Sequence, residues 1–112
     1  MKAVFIESSF FNASRESLMD DEEYRAFQSF LMDNPTTGDV IKGTGGLRKV
    51  RWSGNGHGKR GGSRIIYIYL VNQHHFHLLA IYGKNVADDL SESERRILQQ
   101  LAERLKHGTQ SI

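Results

Sequence analysis

The 112-residue chain contains no cysteine. Disulfides, zinc–thiolate sites and thiol nucleophiles are therefore excluded, and the composition fits a reducing compartment. No stretch approaches the roughly 18 consecutive apolar residues that a membrane-spanning helix needs. The apolar run Ala3-Val4-Phe5-Ile6 is cut off by Glu7 and is too short for a secretion signal. A single cytoplasmic domain over 1–112 is the expectation. Gly43-Thr44-Gly45-Gly46 lacks the Gly-Lys-Ser/Thr ending of a phosphate-binding P-loop and the G-x-G-x-x-G spacing of a dinucleotide site, so it reads as a turn. No Ser-His-Asp set or carboxylate pair stands out. His74, His75 and His77 have no thiol or nearby acid to complete a metal site and read as solvated hairpin residues. No metal and no cofactor are expected.

The most informative deficit is local. Residues 42–64 carry seven basic side chains and no acidic one, whereas residues 1–41 carry three basic and eight acidic, and residues 65–112 five of each. A net +7 segment inside a chain of net charge +2 points to a polyanionic partner.

Hydrophobic spacing supplies the elements. Lys2–Glu7 reads as a strand buried on both sides, and Ser8–Leu18 as a short helix. Asp20 with Glu23 forms a capping box, and Tyr24, Phe27 and Leu31 follow at helical spacing, giving a helix over 21–33 that Asn34-Pro35 stops. Eight of the eleven glycines fall between Gly43 and Gly62. Among them, Leu47–Trp52 alternates with period two: Leu47, Lys49 and Arg51 on one face, Arg48, Val50 and Trp52 on the other. Ser53–Gly62 reads as a loop, Ser63–Val71 as a central strand, Asn72–His74 as a turn and His75–Tyr82 as an antiparallel neighbour. A second capping box, Ser91 with Glu94, opens a helix to about His107, with Gly108 at the expected C-cap. The order β-α-α-β-β-β-α predicts an α+β domain: a small, mainly antiparallel sheet with helices packed on one face. The other face would carry the basic side chains.

If the register permits, Lys49, Arg51, Arg64 and Lys84 converge with Tyr82 on one patch. Cations hold phosphates and a tyrosine can stack on a base, so this patch points to nucleic acid. Arg48, Lys59 and Arg60 extend the basic set, and His57 in the basic loop could contact RNA.

Three segments taken together, Gly38–Arg51 (GDVIKGTGGLRKVR), Gly58–Tyr67 (GKRGGSRIIY) and Ile81–Asn85 (IYGKN), resemble the HigB branch of the RelE-type toxins, the toxin halves of bacterial toxin–antitoxin pairs. The resemblance extends to the acidic Asp20–Tyr24 start and the C-terminal helix. It implies a microbial-ribonuclease-like α+β fold and metal-independent cleavage of messenger RNA in the ribosomal A site: the 2′-hydroxyl attacks the adjacent phosphate and expels the 5′-oxygen. It also implies a helix-turn-helix antitoxin of the HigA type, the ribosome (30S A site and 16S rRNA) and mRNA as partners, and no membrane. Lys49 and Arg51 match the family's basic pair on the second strand, and Arg64 the arginine opening the next strand, where it would stabilise the phosphate. Lys84 matches the basic position after the last strand, and Asn85 stands where some relatives have arginine. Lys84, Tyr82 and His107, in that order, are the candidates for the general acid. The competing reading is a basic module that grips RNA or the ribosome without cutting.

Overall fold

The computed structural model describes residues 2–53, 62–83 and 91–107. After strand β1 (Val4–Glu7) come helices α1 (Ser9–Leu18) and α2 (Asp21–Asp33), strands β2 (Asp39–Val40), β3 (Arg48–Trp52), β4 (Ser63–Leu70) and β5 (His75–Gly83), and helix α3 (Glu92–Lys106), with one 3₁₀ turn (Val71–Gln73) between β4 and β5. The helix starts follow from local chemistry. Both capping boxes form, Asp20 with Glu23 and Ser91 with Glu94, each satisfying backbone N–H groups that the first helical turn leaves without intrahelical acceptors. The Ser8 hydroxyl accepts from the Phe11 N–H and donates to the Leu79 carbonyl, which ties the start of α1 to β5. No helix among the described residues is long and apolar enough to cross a membrane.

The sheet order is β1-β5-β4-β3-β2, antiparallel throughout except for the parallel β1–β5 pair. Two details depart from the sequence reading. The two-residue β2 was not anticipated; it is too short to show a period and exists through its pairing with β3. β1 is an edge strand rather than one buried on both sides. Phe5 stacks on Phe76 with ring centroids 4.8 Å apart, while Val4 on the opposite face is half exposed. The β4–β5 register shifts between Ile66 and Tyr67: Ile66 faces Ala80 and Tyr67 faces Leu78, so Leu79 is the extra residue of a bulge.

The larger correction concerns the layers. α1 and α2 cover one face, where Phe11, Phe27, Leu31 and Tyr24 pack against Val50, Ile65, Tyr67, Phe76 and Leu78. α3 does not join them. Its Leu98, Leu101, Ala102 and Leu105 pack on the opposite face against Leu47, Ile66, Ile68 and Leu79. The reason lies in β4, where Ile65, Ile66, Tyr67 and Ile68 are all buried. A strand apolar at consecutive positions needs cover on both sides. α3 thus shares a face with the basic side chains.

Polar ties hold the helical layer to the sheet. The Tyr24 hydroxyl donates to the Glu7 carboxylate, and the Arg15 guanidinium lies 4.8 Å from the Tyr24 ring centroid and donates to Met19 O and Asp21. Burial, reinforced by the Glu7 carboxylate, raises the pKa of Tyr24 above its ordinary value. Fully buried Tyr67 donates from its hydroxyl to the carbonyls of Thr37 (2.7 Å) and Pro35 (3.1 Å), fixing the segment that leads into β2. Its pKa is pushed up to about 12 by burial, against a smaller opposing pull from Arg48. Replacing Tyr67 by Phe keeps the ring packing and removes this tie, so it should cost about 0.5–1.5 kcal/mol. Urea denaturation checks this; an unchanged midpoint and slope would show that the hydroxyl anchors nothing.

Candidate functional site

The register of the three central strands aligns the site. On β3, Leu47, Lys49 and Arg51 point to the α3 side, while Val50 and Trp52 point to the α2 side. Arg51 lies directly opposite Arg64, and Arg64 directly opposite Tyr82. One row across β3, β4 and β5 therefore carries Arg51, Arg64 and Tyr82 on one face, with Cβ atoms of neighbours about 4.5–5.5 Å apart. Lys49 is one row further in, opposite Ile66. The row lies where β3 ends, β4 begins and β5 ends, and its Tyr82 packs against the core that α3 forms with Leu47, Ile66 and Ala80.

Burial differs along the row. Arg51 is exposed, Lys49 and Tyr82 are partly buried, and Arg64 is only 8% exposed. A guanidinium withdrawn from water interacts more strongly with an incoming anion than one on the surface, because less solvent screens it. The arrangement can hold a phosphate between two forked donors and place a phenol beside it.

Arg48 is placed elsewhere. It faces the α2 side, opposite Tyr67, and donates to the Gly38 carbonyl at 3.0 Å, so it braces the approach to β2. His107 caps α3 and lies 3.5 Å from Glu103, at the helix end that reaches Gly45 and hence the start of β3. That is the opposite end of the strand from Arg51. Lys84, Asn85, His57, Lys59 and Arg60 lie outside the described residues, as do most of the expected 53–62 loop and Gly108.

The three histidines are not solvated hairpin residues as a group. His74 is exposed, with left-handed backbone (φ 55°), and its Nδ1 is 3.2 Å from the Tyr69 hydroxyl. His77 is buried, opposite Ile68 and Ile6, and among the described residues its Nδ1 has no hydrogen-bond partner. Among the described residues no group of three or more His, Asp or Glu could hold a metal ion. The sequence reading missed two residues beside the row, Trp52 and Gly62. The period-two pattern already put Trp52 on the apolar side; Gly62 is hidden among the loop glycines.

A family model described as the RelE toxin of the RelE/RelB toxin–antitoxin system matches residues 2–111. Among solved structures, a free E. coli RelE mutant with two arginines replaced by alanine aligns with a TM-score of 0.60 at 14% identity, covering 87% of this chain and 97% of that one. RelE from the intact E. coli RelBE toxin–antitoxin complex aligns at 0.55 and 11% identity, covering 77% and 100%. The isolated E. coli RelE toxin aligns at 0.56 and 10% identity, covering 89% and 99%. The fold described above is the fold of these proteins.

Burial lowers the pKa of His77, and the neighbouring His75, with ring centroids 5.9 Å apart, lowers it further. The folded chain thus keeps His77 neutral where the unfolded imidazole, near its ordinary 6.5, already takes up a proton. The unfolded state binds more protons in that window, so stability should fall as pH drops below about 6.5, until the pH lies beneath the folded-state pKa. Urea melts at pH 7.5 and 5.5 should show this loss, and His77→Leu should shrink it. An equal loss in both proteins would assign the acid sensitivity to other groups.

Proposed function

As the chain belongs to the RelE toxin family of RelE/RelB toxin–antitoxin systems, we propose that it is a ribosome-dependent endoribonuclease that cleaves messenger RNA in the A site and so stops translation. The observation that carries this reading is the Arg51–Arg64–Tyr82 row with Lys49 beside it. Cleavage by the RNA's own 2′-hydroxyl needs three things: a base for the hydroxyl proton, positive charge for the two non-bridging oxygens of the phosphorane, and an acid for the departing 5′-oxygen. Arg64, withdrawn from solvent, takes the phosphorane charge, and Arg51 shares it. Lys49, in its neutral form, takes the 2′-hydroxyl proton as general base; Lys84 completes the cationic surround, and Lys84 or Tyr82 gives a proton to the departing 5′-oxygen. His107, the third candidate acid, is disfavoured by its place at the far end of β3. The chemistry of this donor set requires neither a metal nor a cofactor.

Lys59, Arg60, His57 and Asn85 are proposed to contact RNA around this centre. Arg48 is the exception among the basic residues first grouped there, since its guanidinium braces Gly38 on the other face. The ribosome orients the mRNA so that the 2′-hydroxyl lies in line with the phosphate, a positioning effect that a 112-residue domain supplies poorly by itself. The motifs around Gly38–Arg51 and Gly58–Tyr67 favour the HigB branch. They favour a helix-turn-helix antitoxin of the HigA type as the neutralising partner, acting on a single 1–112 toxin domain in the cytoplasm. That E. coli RelE has been solved in complex with its antitoxin supports a cognate antitoxin here.

Arg64→Ala should reduce cleavage of ribosome-bound mRNA by roughly 10²–10³, the loss typical of one transition-state donor. Ribosome affinity should change far less, and circular dichroism should report a folded protein. Arg64→Lys should recover only part of the rate, because an ammonium cannot offer two parallel donors. Two results would overturn the reading. One is wild-type cleavage by folded Arg64→Ala. The other is a wild-type protein that occupies the A site and blocks translation without cutting, which would make the chain a binding module.

A further inference from the structure

Gly62 directly precedes β4, one step beyond the Trp52–Ser63 pair that ends the β3–β4 ladder. Its backbone is left-handed, with φ +78°. A Cβ added there would overlap the Trp52 carbonyl oxygen and lie 2.7 Å from Ser53 Cα, closer than real Cβ atoms approach. The atoms met are backbone, so no side chain can swing aside. The end of β3 is also poorly placed to yield. The Trp52 ring packs against Phe27 and Phe30 of α2, with centroids 5.4 Å away in each case. Any displacement therefore falls on Gly62 and Ser63, and so on Arg64, the next residue of β4.

Gly43 is the natural comparison. It has the same φ, +78°, but an added Cβ would meet nothing within 4 Å. Conformational strain is common to both positions, and close approach of two strand ends belongs to Gly62 alone of the pair.

We propose that Gly62 is a positioning residue for the cationic row: having no side chain, it lets the ends of β3 and β4 close, and this holds Arg64 directly opposite Arg51. Trp52, seated on α2, is the fixed side against which Gly62 closes. The proposal builds on the reading of this row as the RNA-cleaving centre, and its consequences extend to geometry that can be measured without any cleavage.

The test compares Gly62→Ala with Gly43→Ala. Both should lose thermal stability, since a left-handed backbone suits alanine poorly. Only Gly62→Ala should lose single-turnover cleavage of ribosome-bound mRNA, by roughly 10–100-fold, the scale of an ångström-sized misplacement of reacting groups. Its ribosome affinity should stay within about twofold, because the cations are all retained. Should Gly62→Ala not fold, Trp52→Leu gives up the ring contacts with α2, and it should show the same split between rate and affinity.

A second measurement is independent of activity. The chain has no cysteine, so an Arg51→Cys/Arg64→Cys pair reports strand closure through disulfide formation. Because the bond tolerates little change in Cα separation, adding Gly62→Ala should slow it by about tenfold or more. Equal disulfide rates with and without Gly62→Ala would overturn the proposal, as would a Gly62→Ala enzyme no slower than Gly43→Ala. Absence of cleavage by the wild-type protein would instead fail the nuclease reading, and the disulfide comparison would still decide the role of Gly62.

Discussion

Everything the site can do depends on the pairing register of β3, β4 and β5. Side chains alternate with period two, so a one-residue slip of β3 would turn Arg51 into the core beneath α2 and put Trp52 on the cationic face. Two apolar layers forbid that slip: Val50 and Trp52 are held from one side with Phe27, and Leu47 from the other with Ile68 and Leu105. The bulge at Leu79 also matters, since it lets Leu78 and Ile81 face one core while Leu79 and Ala80 face the other. Three residues beyond Leu79, Tyr82 comes out on the same side as Arg64.

That register places two arginines directly across from each other on one face of the sheet. Ile65, Ile66, Tyr67 and Ile68, buried in succession, supply much of what holds β4 in that register. On the proposed reading, an anion at the row is held by both arginines. The proposed reaction would tighten that hold as charge builds up on the phosphate, which is the differential binding that catalysis requires.

Much of this was readable before folding, because it is written locally. The boxes Asp20/Glu23 and Ser91/Glu94 set the starts of α2 and α3, and the alternation from Leu47 to Trp52 separated Lys49 and Arg51 from Val50 and Trp52. The acid-free stretch from Lys42 to Arg64 contains three of the row's cations, Lys49, Arg51 and Arg64. What escaped was tertiary. Nothing within α3 says which face of the sheet its Leu98–Leu105 stripe will cover; that follows from Ile66 and Ile68 being as apolar as Ile65 and Tyr67. His77 looks like a neighbour of exposed His74 until the opposite strands supply Ile6 and Ile68. Arg48 counts as one more cation until its guanidinium is found on Gly38. Gly62 resembles every other glycine in its segment, because only contact with the end of β3 gives it a distinct role.

The central claim is that this row directs an RNA 2′-hydroxyl at its own neighbouring phosphate, and the ends of the cut RNA test it most directly. Purified protein is added to ribosomes carrying a defined mRNA with an empty A site, and the fragments are analysed by mass spectrometry. The account predicts upstream fragments ending in a 2′,3′-cyclic phosphate or its hydrolysis product, and downstream fragments beginning with a 5′-hydroxyl. Fragments bearing a 3′-hydroxyl and a 5′-phosphate would mean that water, not the ribose, was the nucleophile, and would contradict it.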